Sequence, residues 1–136
     1  ALLGSIERFM SVFIEHTAGR FPIWCAPEQL RIIKVKDDPA VDQFTHELMK
    51  LAKDYGLRVT LDDSNNSVSK KIRNAEVWKI PYSIVVGDRE TASRILSLRI
   101  RADLAVEGKS DREYGPEQLF SSVVNETRSR ASKSSL

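Results

Sequence analysis

The chain has 136 residues, 41% hydrophobic and 29% charged, and its 21 basic and 19 acidic side chains leave a formal charge of +2. That length supports one domain around one core, and so small a net charge excludes polyanion binding by bulk charge alone. The single cysteine, Cys25, excludes an internal disulfide, no His/Cys spacing suits a metal, and the expected setting is reducing and cytoplasmic. No apolar run approaches the ~18 residues a membrane span needs. Glu7 and Arg8 interrupt the stretch where a signal peptide would be apolar.

Residues 1–19 read as a helix without a start signal, as in a chain cut from a longer protein. Leu2, Ile6, Phe9, Met10 and Phe13 form an apolar stripe expected to pack into the core, and Gly19 closes the helix. Glu7 and Arg8 lie off that stripe, where a solvated face is the plain expectation. In FPIWCAPEQ, residues 21–29, Pro22 and Pro27 forbid a continuous helix while the aromatics demand burial, which predicts a packed inter-domain joint. Leu30 to Lys36 reads as a strand. Asp38-Pro39 then supplies an N-cap and a first-turn proline for a helix marked by Val41, Phe44, Leu48, Leu51, Ala52 and Tyr55 and ended by Gly56. Arg58 to Asp62 alternates as a strand, so this unit predicts a right-handed crossover between parallel strands.

Asp63 to Ser67 is turn chemistry, with Asn66 or Ser67 capping the next helix. On that helix Val68, Ile72 and Ala75 share one face, Lys70, Arg73 and Asn74 the other, and Lys71 and Trp78 flank them. Pro81 pushes Ile80 out of the helical region, which leaves Lys79 just past the helix end. Tyr82 to Val86 predicts a buried central strand, Gly87 to Ser93 a polar loop, and Ile95 to Arg101 a strand with Leu96 and Leu98 on one side and Ser97, Arg99 and Arg101 on the other. Gly108 to Tyr114 reads as an exposed loop. Gly115-Pro116 opens a last helix carrying Leu119, Phe120, Val123 and Val124, and residues 129–136 are expected to fray. The fold class is α/β: a mixed, mostly parallel five-stranded sheet with helices on both faces.

Neither glycine-rich nucleotide signature is present, and Gly87-Asp88 lacks the further glycines of a phosphate loop. His16 and His46 stand apart from any catalytic constellation. The charge is concentrated instead. Between Asp62 and Arg101 lie Lys70, Lys71, Arg73, Lys79, Arg89, Arg94, Arg99 and Arg101, set against Asp62, Asp63, Glu76, Asp88 and Glu90. Such a stretch suits RNA: Lys70, Arg73 and Lys79 would engage phosphates. Glu90 can accept from guanine, Arg99 can donate as a fork, and Asn65 can do both. A merely solvated charged face is the competing reading.

These residues also carry a resemblance. LLGSIERFMSVFIEHTAGRFPIWCAPEQL is similar to the end of the class II catalytic domain and its joint in the threonyl-tRNA synthetase family. DDSNNSVSKKIR, KIPYSIVVGDRE and LSLRIR resemble that family's anticodon-binding domain. The likeness covers residues 1 to about 101, and GSIERF followed by F-P-x-W-x-A-P is its most specific part. It implies residues 1–19 as a motif 3 helix remnant, 20–29 as the joint, 30–128 as an anticodon-binding domain of the class IIa type, and 129–136 as a flexible tail.

By the same resemblance Arg8 is the motif 3 arginine that contacts ATP, Ser5 lies near the amino-acid site, and Asn65, Lys79, Glu90 and Arg99 touch the anticodon. Lys70, Lys71, Arg73 and Arg101 complete the implied RNA-binding set. The family's zinc-binding histidine would lie just before Ala1 and motifs 1 and 2 are missing, so the chain alone is expected not to aminoacylate. ATP, magnesium and zinc are implied for the parent enzyme, with threonine tRNA, the parent's catalytic domain and a parental homodimer as partners; this piece is expected to be a monomer. Its tRNA would carry an anticodon with G and U at the second and third positions.

Ser64 stands where arginine is common, Ser69 where glycine is usual, Lys70 where an aromatic is frequent and Lys79 where arginine often sits. Ala105 replaces the last glycine of a familiar turn. A lysine keeps charge but loses the planar fork. The alternatives are a protein-interaction module on the same fold, which does not charge tRNA, and a small-molecule enzyme, which the missing constellation argues against.

Overall fold

The amide of Arg8 donates to the Ser5 hydroxyl at 3.3 Å, and this side-chain cap starts α1, Ile6–Thr17, in the computed structural model. The structure describes residues 4–106 and 113–136, so the expectations placed on Leu2 and on residues 108–112 lie outside the described residues. The start signal missed in the sequence is Ser5 itself. The apolar stripe, expected to enter the core, does not: α1 has no buried residue, and Ile6 is 79% exposed and Met10 42%. Phe13 alone of the described stripe finds cover, stacked between Phe9 and Phe21 at centroid separations of 5.5 and 5.2 Å. Periodicity marks which side of a helix is apolar, not what stands against it.

The joint packs only in part: Phe21 is half-buried, and Trp24, an aromatic expected to be buried, is 37% exposed. Ile23 and Ala26 are buried. The buried amide of Gln29 donates to the Ile23 carbonyl at 2.9 Å and to Thr127 at 3.0 Å, while Arg58 donates to the carbonyls of Ala26 and Trp24.

From there β1 (Leu30–Lys34), α2 (Pro39–Asp54) and β2 (Val59–Asp62) make the expected parallel unit, with the Asp38 carboxylate capping α2 through the Ala40 amide. The helix α3 (Val68–Val77) crosses back over β1 to β3 (Tyr82–Val86), and β4 (Leu96–Ile100) and β5 (Glu113–Tyr114) follow antiparallel. The sheet order is β2-β1-β3-β4-β5. The sheet is mixed, as expected, but its pairings divide evenly, β2-β1 and β1-β3 parallel, β3-β4 and β4-β5 antiparallel, so the parallel part is half and not most of it. The last helix, α5, spans Pro116–Ser129. No helix among the described residues is long and apolar enough to cross a membrane.

One face of the sheet carries the core. Val41, Phe44, Leu48 and Ala52 from α2 and Leu119, Phe120 and Val123 from α5 cluster with Leu30, Ile32, Tyr82, Ile84, Val86, Leu96 and Leu98. Because α3 returns across β1 in the opposite direction from α2, it lies on the other face, over the fully buried Ile33. Among the described residues, the parallel half is thus covered on both sides, and the antiparallel half on one.

Two further expectations are corrected. The polar loop at 87–93 contains a short helix, α4 (Asp88–Ser93); the Glu90 carboxylate accepts the Gly87 N–H at 3.0 Å and closes its first turn. The tail at 129–136 is not frayed: Ser134 and Leu136 are each 5% exposed. Its anchor is Glu126, buried on α5, whose carboxylate accepts the Tyr82 hydroxyl at 2.5 Å and the Ser135 amide at 2.5 Å. A Ser/Lys-rich composition hides this, because the acceptor that orders the tail belongs to another element.

Candidate nucleic-acid interface

The uncovered antiparallel half of the sheet forms the floor of an open groove of about 780 Å³. Period-2 alternation puts Leu96 and Leu98 into the core and leaves Ser97 and Arg99 on the floor, where Arg99 pairs in register with Ser83, and Ser97 with Glu113. Glu76 and Lys79 at the end of α3 make one wall; Arg20 of the joint and the Arg101–Asp103 turn make another. Arg99 is exposed and has no hydrogen bond or ion pair among the described residues. Among those residues its fork is unspent.

Lys79 ends α3 as Pro81 requires. Its N–H donates to the Glu76 carbonyl and that of Ile80 to the Ala75 carbonyl, both at 3.0 Å, which places Lys79 in the left-handed region at φ 57°. Its ammonium lines the groove and donates to the Ala18 carbonyl at the foot of α1.

Asn65 and Glu90 stand elsewhere. They follow the carboxyl ends of β2 and β3, whereas Lys79 and Arg99 lie near the opposite end of the sheet. In the turn before α3 the Asp62 carboxylate accepts the Ser64 amide and hydroxyl at 3.2 and 2.6 Å, Ser67 caps the helix through the Lys70 amide, and exposed Asn65 keeps its amide unpaired among the described residues. Between the two ends runs the outer face of α3 with Lys70 and Arg73, both exposed and without side-chain partners among the described residues. At 1.5 Å per residue that helix spans about 15 Å, so the expected residues form a strip and not a single cluster.

Two members of the expected set leave it. Lys71 is 3% exposed, and its ammonium donates to the carbonyls of Lys34 at 2.8 Å and Asp62 at 3.3 Å, tying α3 to the ends of β1 and β2. Arg101 is not on the outward face of β4, because the strand ends at Ile100; its side chain is 9% exposed and bonded to Asp103. Burial raises the Asp103 carboxyl, and the Arg101 hydrogen bond and charge outweigh it and hold the group below the ordinary carboxylate range. Arg89 and Arg94, also in the basic stretch, pair with Glu113 and Glu47 at 3.3 Å. Sequence reasoning missed Arg20 and Ser83 as groove residues, since nothing local tells that the joint folds beside β4.

At the other end of the chain, Ser5 spends its hydroxyl on the α1 cap, and Arg8 is exposed with no side-chain partner among the described residues. No group of three His, Cys, Asp or Glu side chains that could hold a metal ion occurs among the described residues.

Residues 29–116 match the family described as the anticodon binding domain. The chain belongs to the anticodon-binding domain family. A threonine–tRNA ligase from Bdellovibrio bacteriovorus is 40% identical over 100% of this chain and 20% of its own length. One from Chlamydia trachomatis is 46% identical over 79% of this chain and 17% of its own length. The chain therefore spans about a fifth of those relatives. Among solved structures, the RNA binding domain of threonyl-tRNA synthetase from Cryptosporidium parvum superposes with a TM-score of 0.77 at 26% identity, over 99% of this chain and 31% of that one. A prolyl-tRNA synthetase from the same organism, with a TM-score of 0.67 over 80% of this chain and 23% of that one, is 23% identical and shares the fold. Among the described residues, the open half of the sheet and the outer face of α3 keep unpaired cations, as do α1 at Arg8 and α2 at Lys50 and Lys53.

Proposed function

We propose that this chain is the anticodon-reading domain of a threonine–tRNA ligase and that it grips the anticodon stem-loop of threonine tRNA. The observation that carries the reading is the unspent Arg99 fork on the floor of the groove, in a chain that matches the anticodon-binding family over residues 29–116. Lys70, Arg73 and Lys79 hold phosphates, which adds affinity without sequence information. Asn65, Glu90 and Arg99 read base edges. Lys71 and Arg101 serve the fold that presents them.

Activation of threonine with ATP and its transfer to tRNA belong to a catalytic domain of the parent, to which this chain contributes α1 with Ser5 and Arg8; ATP, magnesium and zinc act there, in a homodimer. The 136 residues alone bind and do not ligate.

The test is a titration of the chain with threonine tRNA and with an anticodon-swapped control at two salt concentrations. Affinity for threonine tRNA falls steeply with salt, by about 0.7 to 0.9 in log–log slope per neutralised phosphate. The control binds more weakly. A flat salt response would overturn the RNA reading and point to a protein partner.

A further inference from the structure

The Arg101 guanidinium joins three segments that are distant in sequence. Its Nε and Nη2 donate to the two carboxylate oxygens of Asp103 at 2.6 and 3.0 Å, its Nη1 to the Lys79 carbonyl at 2.7 Å, and its Nη2 also to the Phe21 carbonyl at 2.9 Å. The backbone of Arg101 is fixed as well, since its N–H donates to the Pro81 carbonyl at 2.9 Å. Most of its donors are committed, and a 9% exposed side chain has little left for a phosphate.

Each tethered segment both borders the groove and leads elsewhere. Phe21 follows the groove residue Arg20 and stacks on Phe13 of α1. Lys79 carries the ammonium that reaches back to Ala18. Arg101 itself follows Arg99 by two residues. A displacement of the α3 wall or of the floor therefore reaches the foot of α1 through one planar, rigid fork.

We propose that Arg101 is a positioning residue that couples the groove to the joint, so that RNA entering between α3 and β4 fixes the orientation of α1. Coupling to RNA rests on the anticodon-binding reading; the tether itself does not. Lysine separates this role from a phosphate contact, because lysine keeps the charge but cannot span two carbonyls and a carboxylate.

The experiment compares the whole chain with Arg101→Ala and Arg101→Lys, by amide hydrogen exchange of residues 18–21 and by titration with threonine tRNA at two salt concentrations. In both variants exchange at 18–21 accelerates at least tenfold and tRNA affinity drops about tenfold, while the salt slope stays at the unsubstituted value. Wild-type affinity in Arg101→Lys, or a salt slope in Arg101→Ala lower by the roughly 0.7 to 0.9 of one phosphate contact, overturns the proposal. If Arg101→Ala fails to fold, Asp103→Asn replaces it: that variant keeps both carbonyl bonds, so exchange at 18–21 rises two- to threefold, and no rise overturns the tether. Should the unsubstituted chain not bind threonine tRNA, the anticodon reading fails by itself, and exchange at 18–21 in the Arg101 variants still decides the tether.

Discussion

Lys70 and Lys71 are adjacent in sequence and opposite in fate: Lys70 is exposed on the outer face of α3, and Lys71 is buried with its ammonium on the carbonyls of Lys34 and Asp62. One residue along a helix is a turn of about 100°, enough to move a charge from solvent to the sheet. Lys71→Ala should cost about 1 to 3 kcal/mol of stability, because two half-buried carbonyls lose the donor that the buried Lys71 supplies. Lys70→Ala should leave stability within about 0.5 kcal/mol. For binding the order reverses: Lys70→Ala weakens all tRNAs alike and lowers the salt slope, whereas folded Lys71→Ala binds as before. Urea unfolding and filter-binding measurements on the two variants check this.

Glu90 has two duties that one substitution confounds and another separates. Glu90→Ala removes the acceptor of the Gly87 N–H along with any base contact. Glu90→Gln keeps an acceptor for that cap but places an amide donor where a guanine donor would face it. Its unfolding midpoint should stay near that of the unsubstituted chain, while discrimination between threonine tRNA and an anticodon-swapped control falls by about 1 to 3 kcal/mol. Arg99→Ala should lose a similar amount. Equal losses on both tRNAs would remove these residues from base reading.

The Tyr82 hydroxyl donates to Glu126 and lies 2.7 Å from the Ser134 hydroxyl oxygen. Burial, and next the bond to Glu126, push the tyrosine pKa well above its ordinary value. A group that holds its proton more tightly when folded stabilises the fold at neutral pH. That contribution shrinks once pH rises beyond about 10, where the unfolded tyrosine ionises. Tyr82→Phe should cost about 1 to 3 kcal/mol at neutral pH and flatten the loss of stability above about pH 10, as read by denaturant titrations across that range.

Leu136 tests the tail. A frayed terminus would make Leu136→Ala silent, within about 0.5 kcal/mol. Packed as it is at 5% exposure, the substitution should cost about 2 kcal/mol or more. Differential scanning calorimetry distinguishes the two.

What the sequence reveals here depends on whether the deciding contact is local. The helices α2 and α5 and the strand β3 are legible because apolar spacing, Asp38-Pro39 and Gly115-Pro116 act within a few residues. The 88–93 helix is not, because DRETAS has no apolar period and its start is set by Glu90 reaching back to Gly87. Parity along β4 placed Arg99 correctly and Arg101 wrongly, for pleating stops where the strand stops. The α1 stripe was legible as apolar but not as uncovered. Resemblance named the residues of the strip, and the fold alone showed that Lys71 and Arg101 had other uses.

Lys79 holds a left-handed backbone that a glycine would hold at no steric cost, and for an L-residue with a Cβ that conformation costs about 1 kcal/mol or somewhat more. The penalty falls on every folded molecule, whether or not RNA is bound; the exposed bond from the ammonium to the Ala18 carbonyl offsets part of it, and the contact with RNA arises only when the groove is filled. Screening variants of this chain for thermal stability alone would therefore drift toward Lys79→Gly, and would discard recognition without any warning from the melting curve.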